Sequence, residues 1–143
     1  MALVVMKFGG TSVANVERIR NVAAHVKREV DAGNKVAVVV SAMAGATNQL
    51  VAWVNEASPL HDKREYDAVV ASGEQVTAGL TAIVLQSMGL KARSWSGWQI
   101  PIETSDAHGA ARILNVPADK RRASVDAGEV AVITGFQGID PET

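Results

Sequence analysis

Three short runs of mostly β-branched apolar residues constrain this chain more than anything else in it: Leu3 to Phe8, Val36 to Val40 and Val130 to Thr134. Runs of that length read as strands buried on both faces, the pattern of a parallel sheet. Small, glycine- or serine-bearing residues follow each one: Gly9-Gly10-Thr11-Ser12, Ser41 to Asn48, and Gly135-Phe136-Gln137-Gly138. Ligands of open parallel sheets bind beyond the carboxyl ends of the strands, so three such loops predict one shared crevice. Between the first two runs, Val16, Ile19, Val22, Ala23, Val26 and Val30 recur three and four apart. That spacing predicts an amphipathic helix from about Asn15, stopped by Gly33. Residues 3–40 therefore read as one βαβ unit with parallel pairing and a right-handed crossover.

The remainder alternates in the same way. A helix through Leu50, Val51, Trp53 and Val54 ends at Ser58-Pro59, and the mixed segment 62–70 reads as a second helix. Ser72 and Gln75 have capping-box spacing, predicting a separate, longer helix through Val76, Leu80, Ile83, Val84 and Met88 with Gly89 as its cap. Residues 91–109 read as a strand followed by irregular chain, 111–114 as a short strand, and 118–127 as a basic helix stopped by Gly128. The expected fold class is α/β, a mainly parallel sheet covered on both faces. Ile139 to Thr143 ends the sequence where an open sheet usually continues, so a piece of a longer protein is expected.

Composition narrows the function. In 143 residues, 14 Lys and Arg oppose 15 Asp and Glu, a net charge of −1 that offers no footprint for nucleic acid or an anionic membrane. No cysteine is present, which removes disulfides, thiolate zinc sites and thiol nucleophiles. No apolar run reaches the roughly 18 residues of a membrane span, and the stretch from Met1 to Lys7 lacks a basic signal-peptide head. A cytoplasmic location is the expectation.

Lys7 is the sharpest candidate. Its neighbours Val4, Val5, Met6 and Phe8 are apolar, so its ammonium is expected to be poorly solvated unless it meets an anion such as a phosphate. Gly9 and Gly10 would let backbone N–H groups approach that anion. The alternative is a lysine that snorkels from a strand end beside a simple glycine turn. Glu74 has two readings at a helix start: a carboxylate favoured by the helix dipole, or a partner for the ammonium of a small substrate. Ser41, Thr47 and Asn48 form a polar cluster, with Thr47 or Asn48 either an N-cap or a ligand of a substrate carboxylate. His25 and His61 read as surface residues and His108 as ambiguous, and the three lack metal-ligand spacing, so no metal site is expected. Walker A, dinucleotide and nucleophile-elbow patterns are absent.

Taken together, Lys7-Phe8-Gly9-Gly10-Thr11-Ser12-Val13, Val39-Val40-Ser41-Ala42-Met43 with Thr47, Ala71-Ser72-Gly73-Glu74 and Gly135-Phe136-Gln137-Gly138 resemble, in order and spacing, the motifs of aspartate kinases. That family belongs to the amino-acid kinase superfamily. The resemblance implies a three-layer α/β/α fold like that of carbamate kinase. It further implies ATP-dependent phosphorylation of L-aspartate to 4-phospho-L-aspartate, the first step towards lysine, threonine and methionine, with Mg²⁺ between the phosphates and a homo-oligomeric protein. By position it implies Lys7 on the transferring phosphoryl group, Phe8, Gly9, Gly10 and Ser41 at the ATP phosphates, and Thr47, Asn48, Gln49 and Glu74 at aspartate.

What departs from the family pattern is the ending. The family continues into a second glycine-rich stretch with a Ser-Asp-Thr motif, most of the base site, and regulatory ACT domains. A kinase domain of this type needs roughly 250 residues. Residues 1–143 are accordingly expected to be the amino-acid-binding part of the domain, inactive alone. The rival readings are a related kinase acting on glutamate, acetylglutamate, carbamate or UMP, a fusion to homoserine dehydrogenase, and a non-catalytic binding or assembly module.

Overall fold

In a computed structural model, which describes residues 1–117 and 119–142, β1 (Leu3–Phe8) and β2 (Lys35–Val40) pair in parallel, Leu3 opposite Lys35 through Phe8 opposite Val40. Their crossover is α1 (Val16–Asp31). The Asn15 side chain caps it by accepting from the Arg18 N–H at 2.9 Å, and Gly33 follows its end at φ +86°. The apolar stripe Ile19, Val22, Ala23 and Val26 is buried, as its spacing requires.

After β2 come α2 (Ala46–Ala57) and α3 (Lys63–Ser87), then β3 (Ala92–Trp95). β4 (Glu103–Thr104) and β5 (Ile113–Asn115) form a small antiparallel ribbon, and α4 (Asp119–Asp126) leads to β6 (Val130–Thr134). The expected helix over 118–127 is thus present, with Ala118 outside the described residues. β6 inserts between β2 and β3, giving an all-parallel sheet of order β1-β2-β6-β3. The core is one layer: Val36, Val38, Val40, Val130 and Val132 of the sheet meet Ile19, Val22 and Val26 of α1 and Ala78, Ala82 and Leu85 of α3.

Three expectations are corrected. β1 is an edge strand, and Leu3 and Val5 on its outer face are 62% and 65% exposed, not buried. α4 reaches that face over β2 and β6, where Asp126 pairs with Lys35 at 2.8 Å, so cover there is partial. The segments 62–70 and 72–88 form one continuous helix. Asp62 caps it, accepting from the Arg64 and Glu65 N–H groups at 2.9 and 3.1 Å. The Ser72 hydroxyl instead donates back to the Val69 carbonyl at 2.7 Å inside the helix.

Asp62→Ala should therefore cost about 1 kcal/mol in urea denaturation, the usual value of a lost cap. Ser72→Ala should stay within about 0.5 kcal/mol. A cap-sized loss at Ser72 would restore a helix boundary there.

Candidate active site

Backbone hydrogen bonds continue the sheet one step past its strands: the Ser41 N–H donates to the Phe8 carbonyl at 3.2 Å, and the Gly135 N–H to the Val40 carbonyl at 2.9 Å. The loops after β1, β2 and β6 are thereby held side by side. Close approach needs glycine: a Cβ at Gly10 would lie 3.2 Å from the Ala42 carbonyl oxygen, and one at Gly135 3.1 Å from that of Val40. Gly45, at φ +79°, turns the chain into α2, which puts Thr47 and Asn48 in that helix's first turn. First-turn N–H groups have no intrahelical acceptors.

A cavity of about 390 Å³ lies among these loops. Lys7 lines it from β1 and Gly10 from the turn after it, Ser41 from the β2–α2 connection, Thr47 and Asn48 from the start of α2, and Glu74 from α3. Six residues singled out in the sequence thus share one cavity. Phe8, Gly9 and Gln49 do not line it: the half-buried Phe8 ring lies 6.4 Å from that of His25, while Gly9 and Gln49 are exposed. Lys7 is itself exposed, which corrects the expectation of a poorly solvated ammonium; the open outer face of β1 admits water to it.

Glu74 differs most from its sequence reading. It lies in the interior of α3, not at a helix start, so no free N–H groups or dipole end account for its charge. It is 4% exposed. Its Oε1 accepts from the Ala42 N–H at 3.4 Å, and its Oε2 is buried without a partner. Gly73 permits this placement, since a Cβ there would stand 2.9 Å from Ala42 Cβ. Burial pushes the Glu74 carboxyl above the usual carboxylate range, opposed by hydrogen bonds from its own and the Ala42 backbone N–H.

Two residues gained no role from the sequence although their loop was noted. Phe136 lines the cavity, is 90% exposed and holds φ +53°, a left-handed conformation costly for an aromatic residue. Gln137 fixes that loop: its Oε1 accepts from the Gly97 N–H at 3.0 Å and the Thr134 hydroxyl at 2.9 Å, and its Nε2 donates to the Ala71 carbonyl at 2.6 Å. Of the histidines, His25 is exposed, His61 stacks on Tyr66, and His108 meets Asp67 at 3.0 Å. Among the described residues no group of three or more His, Asp or Glu side chains could hold a metal ion.

This crevice sits on a fold with known counterparts. The model of the Amino acid kinase family matches residues 2–143, and the chain belongs to that family. Within it, similar relatives include aspartokinases: that of Rickettsia felis is 47% identical over 141 residues, and that of Pseudomonas aeruginosa 49% over 140. These alignments cover 96% and 98% of this chain but 35% and 34% of the relatives, so the chain spans about a third of their length. The aspartate kinase of Synechocystis superposes with TM-score 0.78 at 38% identity, over 96% of this chain and 22% of that one. Aspartokinase III of E. coli, solved with aspartate and ADP, superposes with TM-score 0.84 at 23% identity, over 98% and 42%, a likeness of fold.

A carboxyl raised by burial favours the folded state while protonated, and that contribution is lost as pH rises through the raised value. Glu74→Gln should therefore increase the melting temperature of the unliganded chain by a few degrees at pH 7. The gain should shrink towards pH 4, where the unfolded carboxyl also binds its proton. Calorimetry at the two pH values checks it, and equal melting temperatures at pH 7 would show that Glu74 is not strained by burial.

Proposed function

We propose that residues 1–143 are the amino-acid-binding part of an aspartokinase catalytic domain. In the complete protein that domain would transfer the γ-phosphoryl group of ATP to the side-chain carboxylate of L-aspartate, forming 4-phospho-L-aspartate. The observation that carries this reading is the pair of charges on one cavity. Glu74 is a buried carboxylate whose Oε2 has no partner, and Lys7 lines the same cavity from the end of β1. A buried unpaired charge costs several kcal/mol unless something compensates it. The α-ammonium of an amino acid would supply the missing partner.

Each group then has a distinct task. Glu74 holds the ammonium and so fixes which end of the amino acid faces the β1 loop. Thr47 and Asn48, at the first turn of α2, hydrogen-bond the substrate, with the dipole of that helix favouring a carboxylate and Gln49 beside them outside the cavity. Lys7 neutralises charge on the phosphoryl group in flight, and the Gly9, Gly10 and Ser41 backbone, with Phe8 between, contacts the ATP phosphates. Phosphoryl transfer needs little covalent participation by the enzyme, since alignment and charge stabilisation supply most of the catalysis. Mg²⁺ bound to the ATP phosphates would add charge neutralisation to that of Lys7; among the described residues no group of three or more His, Asp or Glu side chains could hold the ion. The family relation and the 45–49% identities to aspartokinases favour aspartate over acetylglutamate, carbamate or UMP as acceptor.

In the full-length protein, Lys7→Ala should lower kcat by about 10²–10³ with little change in the KM for aspartate, as for loss of one transition-state donor. Glu74→Ala should act mainly by raising that KM. Coupled-enzyme assays with aspartate, glutamate and carbamate as acceptors test the assignment. Small, equal effects of both substitutions would sink it, as would ADP formation faster with another acceptor. The isolated 143-residue chain should form no ADP in the presence of aspartate.

A further inference from the structure

Besides the end of β1, three elements wall the cavity: the loop after β2, the loop after β6, and the turn of α3 that carries Glu74. They are joined pairwise. The Gly135 N–H, bonded to the Val40 carbonyl at 2.9 Å, ties the β6 loop to the end of β2. The β2 loop meets α3 where a Cβ at Gly73 would stand 2.9 Å from Ala42 Cβ and 3.3 Å from Leu50 Cδ1, and where Glu74 accepts from the Ala42 N–H. Gln137 completes the ring. Its Nε2 donates to the Ala71 carbonyl at 2.6 Å, about one helical turn before Glu74.

The surroundings leave the Gln137 amide one orientation. Oε1 faces two donors, the Gly97 N–H and the Thr134 hydroxyl, while Nε2 faces a carbonyl, so a flipped amide would set donor against donor and acceptor against acceptor. Glycine at 97 leaves room for this, since a Cβ there would lie 2.9 Å from that Oε1. Thr134 is buried at the end of β6, which anchors the amide in the sheet itself. The Ala71 carbonyl has a second lone pair beyond its helical bond, so the tie leaves α3 unbroken. Phe136, the next residue back, lines the cavity in its left-handed conformation. Such a conformation persists only where the surrounding structure over-determines it, and the bonds of Gly135 and Gln137 on either side do so.

We infer that Gln137 is a positioning residue: by tying the β6 loop to α3 it holds Phe136 and Glu74 at a fixed separation, and so sets the length of the amino acid that the cavity accepts. Gln137 itself does not line the cavity. The inference rests on the reading of Glu74 as partner of the substrate's α-ammonium.

Two substitutions in the full-length protein test it. Gln137→Glu keeps the side-chain length and the acceptor for Gly97 and Thr134, but turns an oxygen towards the Ala71 carbonyl in place of the donor. Gln137→Ala removes all three bonds. Each should raise the KM for aspartate roughly fivefold, the worth of one net hydrogen bond, with kcat and the KM for ATP within about twofold of wild type. Glutamate, measured as a competitor of aspartate, should bind no more weakly than to the wild type, so discrimination against the longer acid falls. Hydrogen exchange should find the Gly97 amide protected in the wild type and in Gln137→Glu, and unprotected in Gln137→Ala. If Gln137→Ala does not fold, Gln137→Glu decides alone, because it loses a single bond. An unchanged aspartate KM overturns the positioning role, as does a loss shared equally by aspartate, glutamate and ATP. Failure of the underlying reading is a different result: the wild type itself would form no ADP with aspartate, and the inference would fall with it.

Discussion

The parallel register of β1, β2 and β6 is the constraint on which the rest depends. Lys7 stands opposite Val39, and Val39 opposite Ile133, so the three strands finish at the same level. The two hydrogen bonds beyond the strands, from Ser41 to Phe8 and from Gly135 to Val40, carry that alignment into the loops. Were any strand displaced by one residue, its side chains would exchange faces and the loop after it would leave the crevice. The cavity is therefore a property of the sheet rather than of any one loop. Glycine at positions 10 and 135 is what lets the loops touch.

On this platform the two charged groups occupy contrasting surroundings. Lys7 sits in water on the open side of β1, whereas Glu74 is enclosed by α3 and the loop carrying Ala42. An exposed ammonium carries no burial cost. The enclosed carboxylate is held at a cost to stability, and an incoming cation would relieve that cost. Function-bearing residues commonly carry such strain, which the remaining structure offsets.

The local elements were legible because their signals are local. β-branched runs, the three-and-four spacing of α1, and glycines 33, 89 and 128, all at positive φ, needed no knowledge of distant chain. Six of the nine candidate site residues also reached one cavity, since strand ends in a parallel sheet must converge. What was not legible depended on remote partners. Ser72 and Gln75 have capping spacing, yet the hydroxyl found Val69 within a longer helix, because packing of Val70, Ala78 and Leu85 on the core favours one uninterrupted α3. The edge position of β1 follows from a strand order that periodicity cannot report. Gln137 is an ordinary polar residue until Ala71, Gly97 and Thr134 are brought to it.

The order β1-β2-β6-β3 has a further consequence for biogenesis. β6 belongs between two strands that precede it in the chain, so β2 and β3 leave the ribosome with no neighbour on the edges that β6 will fill. Such long-range closure makes for high contact order and slow acquisition of the native state. Until residue 134 emerges, the valine-rich flank of β2 is an open template for mispairing, the kind of nascent surface that chaperones shield.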